Sequence, residues 1–433
     1  MNAFDRLATR REFLKRATVL AAAPCFIPAA ALGKGPRPAP SNRITLGFLG
    51  LGSMGLRHVN GFKHESDCQI LALCDVDRPR REEAARLVNE HYGNRDCRQY
   101  ADFRDVIASP DVDALCVSLP DHWHSIPVLM AVRAGKDIYG EKPLALTIAE
   151  GRAMVEAVNR TDCVWQTGSW QRSTAHFRRA CELARNGRIG TLQKVEVGIG
   201  RGPRIEPQPQ MPVPEGFDYE MWLGPAPWAP YTEKRCHWNF RWILDYSGGQ
   251  VTDSGAHHID IAHWGMGKDH TGPIEVKGVG KFPEDGLWNA AVTHRFTCRY
   301  AKGPPLCVGS HDYYPEGIRF TGDLGWIHVA RGGMDAHPKS VLRERIGPEE
   351  IRLYEAPPDR QGHRRNFLDC VKTRARTITP IEIGHRSIAV AHLGNIAMLT
   401  GRTIRWDPET ERILGDPEAS RMLSRPMRAP WGF

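Results

Sequence analysis

The chain has 433 residues, more than one hydrophobic core usually organises, so two domains are expected. Its 41% hydrophobic and 25% charged residues are those of an ordinary soluble globular protein. The net charge of +8 is mild, and the basic residues are scattered without the stripes and interleaved aromatics of nucleic-acid binding, so a nucleic-acid partner is excluded.

Residues 1–31 read as a leader. Thr9-Arg10-Arg11-Glu12-Phe13-Leu14-Lys15 precedes an apolar run over 17–27, and small residues follow at 29–31. The order of regions resembles a twin-arginine signal, which implies passage through that export machinery and a periplasmic or otherwise exported protein. The run is too short to anchor the chain in a bilayer, and no later stretch is apolar for long enough. Pro24 before Cys25 is a poor context for lipid attachment. The remaining ten cysteines show no close-set zinc pairs, and cargo folded in the reducing cytoplasm needs no disulfides.

Residues 32–42 are rich in Pro, Gly and Ser and form a linker. Over 43–163, apolar strands at 44–49, 70–74, 114–119 and 137–140 alternate with helical segments, the pattern of a parallel Rossmann sheet with crossover helices. A helix over 125–134 ends at Gly135, and another starts at a capping box, Thr147 to Glu150. From 164 to 410 the strand-like runs 192–197, 294–300 and 326–329 lie between long polar stretches, with a Pro-rich loop at 203–214. This part reads as an α+β domain on a mostly antiparallel, open-faced sheet. A last helix over 386–399 precedes Gly401, the segment 380–400 is expected to pack back on the first domain, and 411–433 form a tail.

The first strand runs into Gly50-Leu51-Gly52-Ser53-Met54-Gly55 and then a helix. Three glycines supply a tight turn, close approach to a pyrophosphate and close helix–strand packing, and the helix N-terminus favours the anion. Asp75, twenty residues past Gly55, ends the second strand, where a carboxylate accepts from the ribose and repels a 2′-phosphate. That favours NAD over NADP, against which stand Arg78, Arg80 and Arg81.

Pro120-Asp121-His122-Trp123-His124 follows the third recognised strand, Gly140-Glu141-Lys142-Pro143 follows the fourth, and Asp253-Ser254-Gly255-Ala256-His257-His258-Ile259-Asp260 lies in the second domain. With the glycine turn, these segments resemble the glucose–fructose oxidoreductase, inositol dehydrogenase and rhizopine catabolism (Gfo/Idh/MocA) family over nearly all of 43–410. The resemblance implies a nicotinamide-dependent oxidoreductase acting on a CH–OH group of a sugar, glycoside or polyol. It places Pro120, His124 and Glu141 beside the nucleotide, with Gly50, Gly52, Ser53, Met54, Gly55 and Asp75. Lys142 and His257 become the acid–base groups, and Asp253 orients the substrate or the histidine. The residues themselves agree: a lysine at the carboxyl end of a parallel strand sits where such sheets bind ligands, and Asp253 and His257 fall one turn apart on a helix. Adjacent His257 and His258 diverge on a helix, so no metal site is expected.

Trp123, Trp170, Arg241 and Trp242 are candidate sugar contacts, because pyranose faces stack on aromatic planes and hydroxyls need donors and acceptors. Trp222, His237 and Tyr246 fall near them in the same region. A domain of this kind commonly associates through its open sheet, so the resemblance also implies a homo-oligomer. Export adds an expectation: nicotinamide nucleotide is not replenished outside the cytoplasm, so the cofactor travels bound and is recharged in place. Paired oxidation and reduction, redox-neutral chemistry through a transient keto-sugar, and a non-catalytic sugar- or nucleotide-binding protein all remain open at this point.

Overall fold

The computed structural model describes residues 37–354 and 359–432, so the expected leader lies outside the described residues. Of the stretch before Ile44 it gives a short 3-10 turn, Pro40–Asn42. From Ile44 the chain forms β1 (Ile44–Leu49), α1 (Ser53–Phe62), β2 (Cys68–Cys74), α2 (Arg78–Tyr92), β3 (Arg98–Tyr100), α3 (Phe103–Ala108), β4 (Ala114–Val117), α4 (Ser125–Arg133), β5 (Asp137–Gly140), α5 (Ile148–Asn159) and β6 (Trp165–Thr167). These strands are all parallel, in the order β3-β2-β1-β4-β5-β6. The strand order reverses between β1 and β4, and this opens a crevice at their carboxyl ends.

Two strands depart from the sequence reading. Arg98–Tyr100 is a polar edge strand with no apolar run to announce it. Trp165–Thr167 lies beyond the boundary expected at 163, yet it pairs in parallel with β5 and completes the first sheet. The expected capping box is half formed. Thr147 Oγ1 accepts from Glu150 N at 3.2 Å, but the Glu150 carboxylate turns to Ser125 Oγ and to Arg425, 275 positions away in sequence.

The second part holds α6 (Ala175–Arg185), β7 (Leu192–Ile199), α7 (Tyr219–Leu223), α8 (Gln250–Asp253), α9 (Gly255–Met266), β8 (Glu275–Lys281), β9 (Thr293–Arg299), β10 (Leu306–Ser310), β11 (Gly317–Gly322), β12 (Trp326–Ala330), β13 (Gly333–His337), α10 (Asp359–Thr373), α11 (Ile381–Thr400), β14 (Ile404–Asp407), β15 (Arg412–Ile413) and α12 (Pro417–Arg421). Its nine-stranded sheet has the order β13-β12-β11-β7-β10-β9-β8-β14-β15. It is antiparallel except where β7 meets β10. Helices α9 and α11 are buried nearly all round, which is why their sequences lack a polar face.

Helix α11 packs on the first sheet's layer. Arg152 of α5 pairs with Glu382 at 3.0 Å and with Glu411 at 2.7 Å, and His392 Nε2 donates to Ala145 O. Arg365 of α10 ties to Glu65 and Asp67 in the turn before β2. Residues 411–432 pack against the first sheet's layer and the turn after β4. Ala149 N donates to Leu423 O, Arg425 reaches Glu150 and His122 O, and Trp431 stands edge-on to Trp123 at 4.7 Å. Among the described residues the ten cysteines are free, and no helix is long and apolar enough to cross a membrane.

Behind the crevice, the buried Arg172 guanidinium bonds Asp260 of α9 at 2.8 Å and Asp269 at 2.7 Å, with Ser387 Oγ also donating to Asp260. Removing one partner of a buried pair leaves an uncompensated charge. Asp260→Ala is therefore expected to lower stability by about 3 kcal/mol in urea unfolding, and Asp260→Asn by less.

Candidate active site

The crevice is floored by the glycine turn. Gly50 has φ +88°, and a Cβ there would lie 2.5 Å from Ser118 O; one at Gly55 would lie 2.1 Å from Gly50 O. A Cβ at Gly52 would meet only Arg80, at 3.4 Å, so the backbone there stays open to a ligand. Helix α1 starts at Ser53 without a side-chain cap, which leaves its first amides to face an anion. Asp75 braces this turn: Oδ2 accepts from Leu51 N at 2.7 Å and Oδ1 from Asp77 N at 2.9 Å. Burial raises its carboxyl above the ordinary value, and those two amides offset part of the rise. Of the three nearby arginines, Arg78 reaches outward to Glu215 and Arg81 donates to Asp75 O. Arg80 alone lines the crevice, beside Asp77 at 3.1 Å.

From the glycine turn a cleft of about 530 Å³ runs past Pro120, Glu141 and Lys142 to Trp170, Asp253 and His257. Ser53, Met54, Trp123, Arg241 and Trp242 also line it. A short aromatic core built from Phe217, Trp222, Tyr231, Phe240 and Tyr246 roofs the nucleotide end. This strap is tied to the first sheet by backbone bonds, Asp218 N to Val76 O and Arg78 N to Gly216 O. Tyr246 is fully buried in that core rather than on the cleft wall.

At the far end the two halves of the chain meet. Lys142 Nζ donates to Asp253 Oδ1 at 2.7 Å and to Asp253 O at 3.0 Å, and Arg241 Nε lies 3.4 Å from the same Oδ1. Burial pushes the Asp253 carboxyl up, but the Lys142 and Arg241 cations outweigh it and hold the group below its ordinary value. Such a group keeps its charge as pH falls through the usual carboxylate range, so this ion pair outlasts ordinary carboxylates as pH falls. Asp253 and His257 do not share one continuous helix. Asp253 ends α8 and His257 enters on the first turn of α9; Ser254 between them keeps a helical backbone, with φ −76° and ψ −34°, and accepts from the His257 amide. Both still reach the cleft, His257 with its ring 6.0 Å from Trp170.

His124 departs from its expected place beside the nucleotide. It is buried off the cleft wall, with Nδ1 2.7 Å from Pro143 O and Nε2 2.8 Å from Leu119 O. The 3-10 turn Asp121–Trp123 swings this ring inward, where it staples the turn after β4 to the turn after β5. Glu141 lies on the cleft floor with Oε1 accepting from His58 Nε2 at 2.7 Å and Oε2 from Lys142 N. Burial raises its carboxyl, and the contacts with His58 and Lys142 outweigh that and lower it. Trp123 presents one side to the cleft while its Nε1 donates to Met221 O and Trp222 O.

Several lining residues, Asp121, Phe217 and Arg331 among them, carried no assignment in the sequence reading. Asp121 is buried, accepts from Ser247 Oγ at 2.6 Å, and has its carboxyl raised by burial. Phe217 and His237 belong to the strap, and Arg331 comes from the β12–β13 turn. Asp121 stood within a recognised motif, and His237 was among the residues grouped near the expected sugar contacts; nothing local marks Phe217 or Arg331.

A glycine-floored switch point, a lysine–aspartate pair across it and a second sheet domain define an oxidoreductase built on a dinucleotide-binding Rossmann fold. Residues 44–169 match the family model for an NAD-binding Rossmann fold of an oxidoreductase family, and residues 204–433 match that family's C-terminal alpha/beta domain. The chain belongs to the Gfo/Idh/MocA oxidoreductase family. It is 30% identical over 188 residues to myo-inositol 2-dehydrogenase of Thermotoga maritima, covering 43% of this chain and 54% of that one. It is 31% identical over 170 residues to a glycosyl hydrolase family 109 protein of Shewanella pealeana, covering 35% and 37%. The matched segments thus span about half or less of these relatives' lengths. The WlbA dehydrogenase of Bordetella pertussis, solved with NADH and UDP-GlcNAcA, shares the fold, with a TM-score of 0.60 and 18% identity over 84% of this chain and 99% of that one.

The cradle fits a dinucleotide because side chains are missing where its backbone must come close. Gly55→Ala, which drives a methyl into Gly50 O, is expected to weaken NAD binding at least about tenfold, a cost of roughly 1.4 kcal/mol, measured by titration of nucleotide-free protein.

Proposed function

We propose that the protein oxidises a hydroxyl-bearing carbon of a sugar, glycoside or polyol with NAD kept in the cleft, and that it works outside the cytoplasm after export in folded form. The observation that carries the reading is the 2.7 Å contact between Lys142 and Asp253, brought from separate halves to the end of a cleft that begins at the glycine turn. Similarity to an inositol dehydrogenase supports the CH–OH substrate class.

Bound there, a nicotinamide supplies a hydride acceptor. The chain's own groups do the rest. Two ammonium protons of Lys142 are taken by Asp253, so the third is available to a substrate oxygen and fixes the reacting carbon. His257, on the same wall, takes the hydroxyl proton as the carbonyl forms. Asp253 stays ionised throughout and keeps the amine in place rather than exchanging protons itself.

Asp75 at the ribose end favours NAD, and Arg80, which lines the crevice beside Asp77, is the nearest of the three flagged arginines to a 2′-phosphate's place. The strap at the nucleotide end is held to the first sheet by its backbone bonds to Val76 and Arg78. That supports a cofactor retained between turnovers, as an exported enzyme would need. Retention also favours a second reading, redox-neutral chemistry through a transient keto-sugar, to which the similarity with a glycosyl hydrolase family 109 protein points.

Mass spectrometry of nucleotide released from purified protein, followed by a sugar panel read through reduction of the bound nucleotide, tests the proposal. One NAD per chain and reduction by some member are expected; protein purified empty that exchanges NAD rapidly would remove the retained cofactor. Lys142→Ala is expected to keep the nucleotide and lose roughly 10²–10⁴-fold in turnover, and unchanged turnover would take Lys142 out of the mechanism. Cell fractionation with sequencing of the mature N-terminus is expected to give a periplasmic form starting after residue 31.

A further inference from the structure

The substrate end of the cleft carries more positive charge than its own carboxylates absorb. Asp253 is shared between Lys142 and Arg241, Glu141 is engaged by His58, and Asp121 by Ser247. Arg331 remains. It lines the cleft from an exposed position, and among the described residues it forms no ion pair.

Arg331 is also held in place. It sits in the two-residue turn between β12 and β13, and that turn is anchored by His176 Nε2 donating to Ala330 O at 3.0 Å. Its Nε donates to Gln171 Oε1 at 3.3 Å, and its plane lies 5.4 Å from the Trp170 ring. Gln171 is completely buried and donates in turn to His257 O and His258 Nδ1, so the arginine is linked through one amide to the helix that bears His257. Burial and the neighbouring Arg331, His311 and His328 push His258 down to about 3, which leaves that ring neutral and unable to add charge. With Nε occupied and the ring plane covered on one side by Trp170, the two terminal nitrogens form the open edge of the fork.

We infer that Arg331 is a specificity residue that takes an anionic substituent of the sugar, so that the natural substrate is a sugar acid or an acidic sugar ester rather than a neutral sugar. A fork of two parallel N–H donors matches the two oxygens of a carboxylate, and phosphate or sulfate esters offer the same pairing. Trp170, between Arg331 and His257, would then lie against the apolar face of the ring whose charged end Arg331 holds. The inference rests on the proposed sugar reading and narrows it.

The test is isothermal titration of nucleotide-loaded protein with D-glucuronate, D-galacturonate, glucose 6-phosphate, D-glucose and D-galactose, with absorbance of the reduced nucleotide followed in parallel. At least one anion is expected to bind about tenfold or more tightly than its neutral counterpart. In Arg331→Gln that ratio is expected to collapse towards one, while Arg331→Lys keeps part of it. Preference for uronates over glucose 6-phosphate assigns a carboxylate, and the reverse assigns an ester. Neutral sugars binding as well as every anion, a ratio unchanged in Arg331→Gln, or no binding by any of the five would overturn the inference. Arg331-dependent binding without reduction of nucleotide would leave the anion site standing and remove the oxidoreductase reading instead.

Discussion

Lys142 and Asp253 lie 111 positions apart in sequence, and their contact is where the two halves of the chain commit to a shared cleft. Both are largely withdrawn from water, so each would be costly alone. Much of the surrounding architecture serves to keep them together. Pro143 and His124 fix the turn that delivers the lysine, Asp253 closes the short helix α8, and Arg241 balances the carboxylate from the strap side. The lysine follows β5, the strand next to β4 at the switch point, so the pair lies at the opposite end of the cleft from the glycine turn.

Histidines show how environment, rather than residue type, decides a role. His122, His258, His263, His363 and His392 are all buried, and burial is the main cause that pushes each down to about 3 or 4. As neutral rings they serve as hydrogen-bonding partners for groups no water reaches: His122 donates to Trp222 O, His363 to Thr167 O and His392 to Ala145 O. His257 is equally buried but opens on the cleft, and that difference of direction separates it from its neighbour His258.

The parts of the site legible in the sequence were those whose chemistry is local. A strand running into spaced glycines, a carboxylate at the next strand's end and a lysine before proline each carry their meaning within a few residues. The layer architecture followed from the change in periodicity near residue 163, although β6 was lost because three residues make too short a run. What stayed hidden came from a distance. The His124 ring depends on two carbonyls about twenty and five positions away, Arg331 on a hairpin tip reaching across to Gln171, and the strap on pairing between Asp77 and Phe217. No spacing rule announces contacts of that kind, because tertiary packing alone creates them.

The stretch from Arg425 to Trp431 has a consequence for how the cleft is assembled. It braces the back of the turn bearing Trp123 through His122 O, 303 positions earlier, and it grips the α7 loop through Gly224 O. During synthesis the amino-terminal sheet can fold first and present its glycine cradle while this brace is still inside the ribosome. The cradle is therefore made before the segment that backs it, and the final turns close on a sheet already in place. Seat and brace are thereby separated in time by the order of translation itself.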